Sequence, residues 1–175
     1  MNEINHFHAD LWQVVFSNVP TITEPSELAY VERFVRTCNL PEYDLDVDES
    51  QFRGSRILHP VAPKFNTDLG LLQIEFKLSE NMKNYLYLFE WMQRIRRGEA
   101  SSPVRKYWCD ELTIKMLDNQ KRTTGWFTFS HAFCVALSAL PLTVGTSEEV
   151  TFTANFDYEQ ILFTVNQDLD DALDK

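Results

Sequence analysis

Residues 44–49 read DLDVDE, which puts Asp44, Asp46 and Asp48 at every second position. Carboxylates at that spacing can open a calcium loop, or they can form the acidic face of a β-strand. A calcium loop starting at Asp44 needs glycine at its sixth position and a bidentate carboxylate at its twelfth. Glu49 and Ser55 stand there, and no helix pattern flanks both ends. A solvated strand face is the better reading, with Leu45 and Val47 inward and the three aspartates outward.

The other groups capable of chemistry are sparse. His6 and His8 form an HxH pair with Asp10 beyond, a metal-ligand spacing if it sat on a strand. It lies near a chain end, where fraying is common. Cys134 and His131 are three residues apart on a strand-like stretch, so their side chains should face opposite sides and cannot form a nucleophile–base pair. No GxSxG, GxGxxG or Walker loop occurs, and 5 glycines leave little material for a backbone phosphate cradle. The three cysteines, Cys38, Cys109 and Cys134, have no CxxC spacing and read as reduced, buried or half-buried thiols. No catalytic, metal-binding or cofactor-binding residue is assigned.

A basic cluster comprises Arg94, Arg96, Arg97, Arg105 and Lys106. It could touch phosphate. Three of its members end a helical pattern, where cations are favoured by the helix dipole, and that is the stronger reading. Salt separates the two: a phosphate site would show steep salt dependence of nucleic-acid binding.

The 175 residues fit one domain and are 44% hydrophobic, enough for a core. The formal charge is −10. Most of the excess lies in two segments: 42–49, with five acids, and the tail beyond Asn166, with four aspartates against one lysine. Such a chain repels nucleic acid and anionic membranes by default. No stretch reads as a signal peptide or a spanning helix, so synthesis in a cytoplasm and no membrane partner are expected. Residues 1–9 are expected to be a flexible N-terminus, 10–163 one domain, and 164–175 an acidic extension.

The elements that position these groups are mostly strands. Strands are expected at 10–17, from about Val31 to Leu40, at 42–49, at 69–79, at 107–117, at 125–137, at 140–144 and at 150–163. Residues 50–66 read as a long excursion or loose hairpin, and 118–125 as a turn. One helix is expected at 79–98, capped by Ser79, with Glu80 near its start and arginines near its end. Met82, Tyr85, Leu86, Phe89 and Met92 form its expected core stripe. These strands with one inserted helix predict a mainly β, antiparallel barrel or sandwich.

The order of these stretches resembles the tube proteins of contractile phage tails and their type VI secretion relatives. LWQVVFS precedes a segment ending TCNLP; YDLDV leads into a long loop; LLQIEFKLS runs into a helix bearing FEWMQRI; ELTIKMLD, GWFTFSHAFCVAL, PLTV and VTFTANFDYE follow. The resemblance implies a structural, non-enzymatic virion protein. Its copies would form six-membered rings whose strands join into one barrel, and stacked rings would make a conduit that DNA traverses without specific binding. Asp44, Asp46 and Asp48 become candidate channel-facing acids. Gln51, Phe52, Arg53, Arg56 and His59 become a candidate inter-ring loop, and the basic cluster a candidate contact patch. Sheath, baseplate and tape-measure proteins are the implied partners.

A baseplate tube-initiator or tail-terminus ring of the same fold is the alternative. Two others stay open. A small-ligand barrel would gather Trp12, Trp108 and Trp126 around a pocket. An enzyme would use the His131 region.

Overall fold

The layers are set by alternation along the strands. The computed structural model describes residues 10–20, 22, 24–41, 47–52, 55–60, 70–97, 107–142 and 149–166. Leu72, Ile74 and Phe76 are fully buried, while Gln73 and Lys77 are exposed, so β5 (Leu72–Lys77) has one core face and one wet face. The same period-two pattern buries Phe152, Ala154 and Phe156 of β8 (Thr151–Asp157) and Val14 and Phe16 of β1 (Trp12–Ser17).

Nine strands and two helices are present among the described residues. The remaining strands are β2 (Val35–Asn39), β3 (Val47–Phe52), β4 (Ser55–Pro60), β6 (Cys109–Leu117), β7 (Thr123–Leu137) and β9 (Gln160–Val165). The hydrogen-bonded path runs β1-β6-β7-β8-β5-β2, with β9 also on β7, and every pairing is antiparallel. β3 and β4 make a separate two-stranded hairpin.

β7 belongs to two layers. Its first part lies between β6 and β9, and its last part, 133–137, pairs with β8. Between them His131 has φ 53, and the register against β8 shifts between Cys134 and Ala136. A left-handed residue and a bulge together bend a strand sharply. The bend folds β1-β6-β7-β9 over β7-β8-β5-β2. Phe16 of the first layer meets Phe156 of the second, with ring centroids 5.8 Å apart. Among the described residues, the ends of the path, β1 and β2, are not paired with each other, so the single chain closes no barrel.

Five expectations need correction. There are two helices, not one. The segment expected as a strand from Val31 enters as α1 (Pro25–Arg33), and β2 starts only at Val35. Pro25 presets the first turn, Glu27 and Arg33 suit the dipole, and Leu28 and Val31 turn the same face inward. Strand propensity of single residues lost to these terminal signals.

The second helix, α2 (Lys83–Arg97), begins later than expected. Met82 has φ 56, which interrupts the chain after Ser79, and Asn81 Oδ1 accepts the Lys83 N–H at 3.2 Å. Ser79 and Glu80 therefore precede the helix. Its core face is also rotated from the expected stripe. Asn84, Leu88 and Trp91 are buried, whereas Met82, Leu86 and Phe89 are exposed, and only Tyr85 and Met92 of that stripe pack partly on the core. The reason is Asn84: its Nδ2–H donates to Lys77 O at 2.7 Å and its Oδ1 accepts the Ser79 N–H at 3.1 Å. Satisfying the backbone between β5 and α2 fixes a polar residue inward, and Trp91, two turns on, follows it.

Residues 140–142 are not a strand, and 143–144 lie outside the described residues. The expected strand at 150–163 is broken at Tyr158 and Glu159 into β8 and β9, and β9 continues to Val165. Tyr158 is buried, and its hydroxyl donates to Gly70 O at 3.0 Å. Glu159 N–H bonds Ser130 O at 3.0 Å. The break lies opposite the bend in β7.

The rotated helix face gives a test. Trp91→Ala should cost about 3–5 kcal/mol of unfolding free energy, and Phe89→Ala less than about 1 kcal/mol, in urea titrations followed by circular dichroism. Equal losses would restore the stripe expected from the sequence.

Candidate self-assembly surface

The sheet β2-β5-β8-β7 has one face against the core and one that is polar across β2, β5 and β8, while β7 brings Phe133 and Ala136 to it, opposite Asp157 and Asn155. That wet face carries Thr37 and Asn39 of β2, Gln73, Glu75 and Lys77 of β5, and Thr151, Thr153, Asn155 and Asp157 of β8. The register puts Thr37 and Thr153 on either side of Glu75. The Thr37 hydroxyl donates to Glu75 Oε2 at 3.0 Å. Hydrogen bonds from Thr151 and then Thr37 hold the Glu75 carboxyl below the usual glutamate range. Lys77 pairs with Glu149, which lowers that carboxyl as well. The face is thus charged at neutral pH, with its lysine neutralised locally.

The edges of this sheet matter as much as its face. Among the described residues, β2 pairs only with β5, and β7 residues 133–137 pair only with β8 in this layer. Both open edges are five residues long. Because all neighbours are antiparallel, four strands leave the two edges running in opposite directions. The β2 edge of one copy can therefore accept the β7 edge of another and continue the antiparallel pattern.

The residues singled out from the sequence are distributed as follows. Asp44, Asp46, Arg53, Arg105 and Lys106 lie outside the described residues. Asp48 sits on β3 opposite His59 on β4, and Gln51 and Phe52 pair with Arg56 and Ser55 near the hairpin turn. Four of the five residues expected in an inter-ring loop lie on this hairpin. Arg94, Arg96 and Arg97 are exposed on the last turns of α2, and Arg94 donates to Pro20 O at 3.3 Å. Their helix-end placement matches the dipole reading.

Sequence reasoning missed the wall-like face as a unit. The alternation of Gln73, Glu75 and Lys77 was visible, but nothing in it says that β5 lies between β2 and β8. It also missed Glu32 on α1, whose Oε1 accepts the Phe16 N–H at 2.8 Å.

The alternative chemistries gain no geometry. Cys134 is buried, and burial pushes its thiol up to about 12. His131 is half-exposed and pairs with Glu159, Nδ1 to Oε2 at 2.8 Å. Trp12 lies on the core side of its layer and Trp126 on the other, while Trp108 stacks on Phe133 at 5.2 Å. These three indoles do not surround a common pocket.

The comparisons agree with this geometry. A family model described as phage tail tube protein matches residues 4–164. No curated protein matches the sequence. Among solved structures, the chain is similar to one from the tube-terminating cap of the anti-feeding prophage (TM-score 0.63, 10% identity, 95% of each chain covered). It is similar to one from the sheath/tube terminator of an extracellular contractile injection system, PVC, in its extended state (TM-score 0.64, 10% identity, 93% and 100% covered). A third comes from the anti-feeding prophage baseplate (TM-score 0.58, 17% identity, 94% and 98% covered). At these identities the likeness is one of fold. The family match spans almost the whole chain, and the chain belongs to the phage tail tube protein family, as a structural subunit of a tube-forming assembly.

Proposed function

We propose that copies of this chain join head to tail into six-membered rings, which stack as the inner tube of a contractile phage tail and conduct DNA without binding it. The observation that carries this reading is the four-strand alternating sheet with two open edges of equal length and opposite direction. Joining β2 to the neighbour's β7 leaves no edge of that sheet unpaired once the ring closes, which removes an aggregation hazard. The number six and the contractile tail come from the resemblance of the strand order.

The polar face of β2, β5 and β8 is then the channel wall, with Glu75 and Asp157 repelling phosphate. Screening limits such repulsion to about 8 Å at physiological salt, so wall residues alone count. Asp44, Asp46 and Asp48, which follow β2 in sequence, extend this acidic surface. The β3–β4 hairpin, with Gln51, Phe52, Arg56 and His59 and the intervening Arg53, reaches the next ring. α2 turns Leu86 and Phe89 outward, with Met82 exposed just before it, toward a sheath. Arg94, Arg96 and Arg97, with Arg105 and Lys106, are the contact patch for that or a baseplate partner. No bond is made or broken, and no cofactor is needed.

A second reading is a terminal ring present in few copies, favoured by the likeness to a cap and a terminator chain. Copy number in purified particles separates the two, since a main tube subunit is abundant.

Negative-stain microscopy of concentrated protein should show six-fold rings or tubes. A particle that stays monomeric at every concentration, with and without an initiating ring, contradicts the reading. Reversing Asp44, Asp46 and Asp48, or Glu75 and Asp157, to lysine should leave tubes intact and slow DNA release. Loss of tubes instead would make those residues contacts. Within the wall, Thr151→Val should move the Glu75 titration upward, toward the ordinary glutamate value, in carboxyl carbon NMR.

A further inference from the structure

The sheet that contains β1 has a feature at its edge that ring formation does not use. Leu117 N–H donates to Leu11 O at 2.9 Å, so the backbones of Leu11, Gln13, Val15 and Ser17 face β6. Those of Val14 and Phe16 face the other side, where β1 pairs with no strand among the described residues. An open edge of this kind adds foreign strands readily. At Phe16 the site a foreign carbonyl would take is already filled by Glu32 Oε1, at 2.8 Å. Glu32 is half-buried, and its desolvation raises its pKa, against the pull of the Phe16 amide and of Lys115. Burying a carboxyl to hold one backbone amide costs free energy, and the local fold does not require it, because an edge amide can be satisfied by water.

α1 brings Glu32 to that amide and then leads straight into β2, the edge proposed to join the next copy. A cleft of about 350 Å³ remains between β1 and the start of β2, bordered by Trp12, Gln13, Glu32, Val35 and Arg36. The opposite edge of the same layer, β9, is followed in sequence by Asp168, Asp170, Asp171 and Asp174. Charges flanking an apolar strand such as QILFTV discourage its pairing.

We propose that Glu32 is an edge guard: its carboxylate stands in for a neighbouring strand at Phe16, so β1 adds no second chain and self-association is left to the β2 and β7 edges. The choice of joint rests on the ring reading above, but the guard itself is testable without rings.

In monomeric wild-type protein, hydrogen exchange should show the Phe16 amide at least about ten-fold slower than the Val14 amide on the same side of β1. Equal rates would overturn the proposal, with no variant involved. In a Gln13→Cys background, Glu32→Ala should yield disulfide-linked dimers through the exposed residue 13 and irregular aggregates in the microscope. Glu32→Gln keeps an acceptor oxygen and should give neither. Glu32→Ala that folds, by circular dichroism, and neither cross-links nor aggregates beyond wild type would overturn the guard. Cross-linking by Glu32→Ala while the wild type makes no rings would support the guard and count against the ring reading alone.

Discussion

The bend in β7 is the constraint from which the rest of the molecule follows. One strand of 15 residues serves two layers, and it can do so only by turning at His131. A left-handed backbone at a residue other than glycine costs energy and persists where the surroundings over-determine it. Here the surroundings are visible. His131 is paired with Glu159, Glu159 holds the Ser130 carbonyl, and Tyr158 beside it is anchored to Gly70. The break in the facing strand and the bend in β7 are one feature seen from two sides. Without it β8 and β9 would continue as one strand, and Phe16 would have no Phe156 to pack against.

That feature also explains what the sequence could and could not disclose. Leu72, Ile74 and Phe76 announced their strand and their buried face by alternation alone, and so did Phe152, Ala154 and Phe156. The break at Tyr158 left a trace that went unused: strict alternation ends there, with Glu159 and Gln160 both polar and Ile161, Leu162 and Phe163 all apolar. α1 was hidden for a different reason. Val31, Phe34 and Val35 carry strand propensity, and the helix among them is decided by Pro25, by end charges and by packing on β1. In α2 the helix was evident but its orientation was not, since the residue that sets the inward face is Asn84 rather than a hydrophobe.

The candidate surface shows the same division. Single acidic residues were legible as wet, but a wall is a property of three adjacent strands, and adjacency is long-range information. Glu75 is a case in point. Its carboxyl is held below the usual glutamate range by Thr151, on a strand from the other half of the chain, and by Thr37, 38 positions earlier. The resemblance in strand order pointed to the family but not to this face, and the family model matches over residues 4–164.

The even number of strands in the joining sheet has a geometric corollary. Neighbouring strands stand about 4.8 Å apart, so each copy contributes about 19 Å of circumference before tilt. A bore built from such units cannot be adjusted smoothly: it widens or narrows by a whole copy at a time. An odd strand gained or lost from one copy would reverse the polarity at a joint. In the proposed ring, bore diameter is thus quantised by the number of copies, and mutations at the wall would alter its charge and lining without changing its calibre.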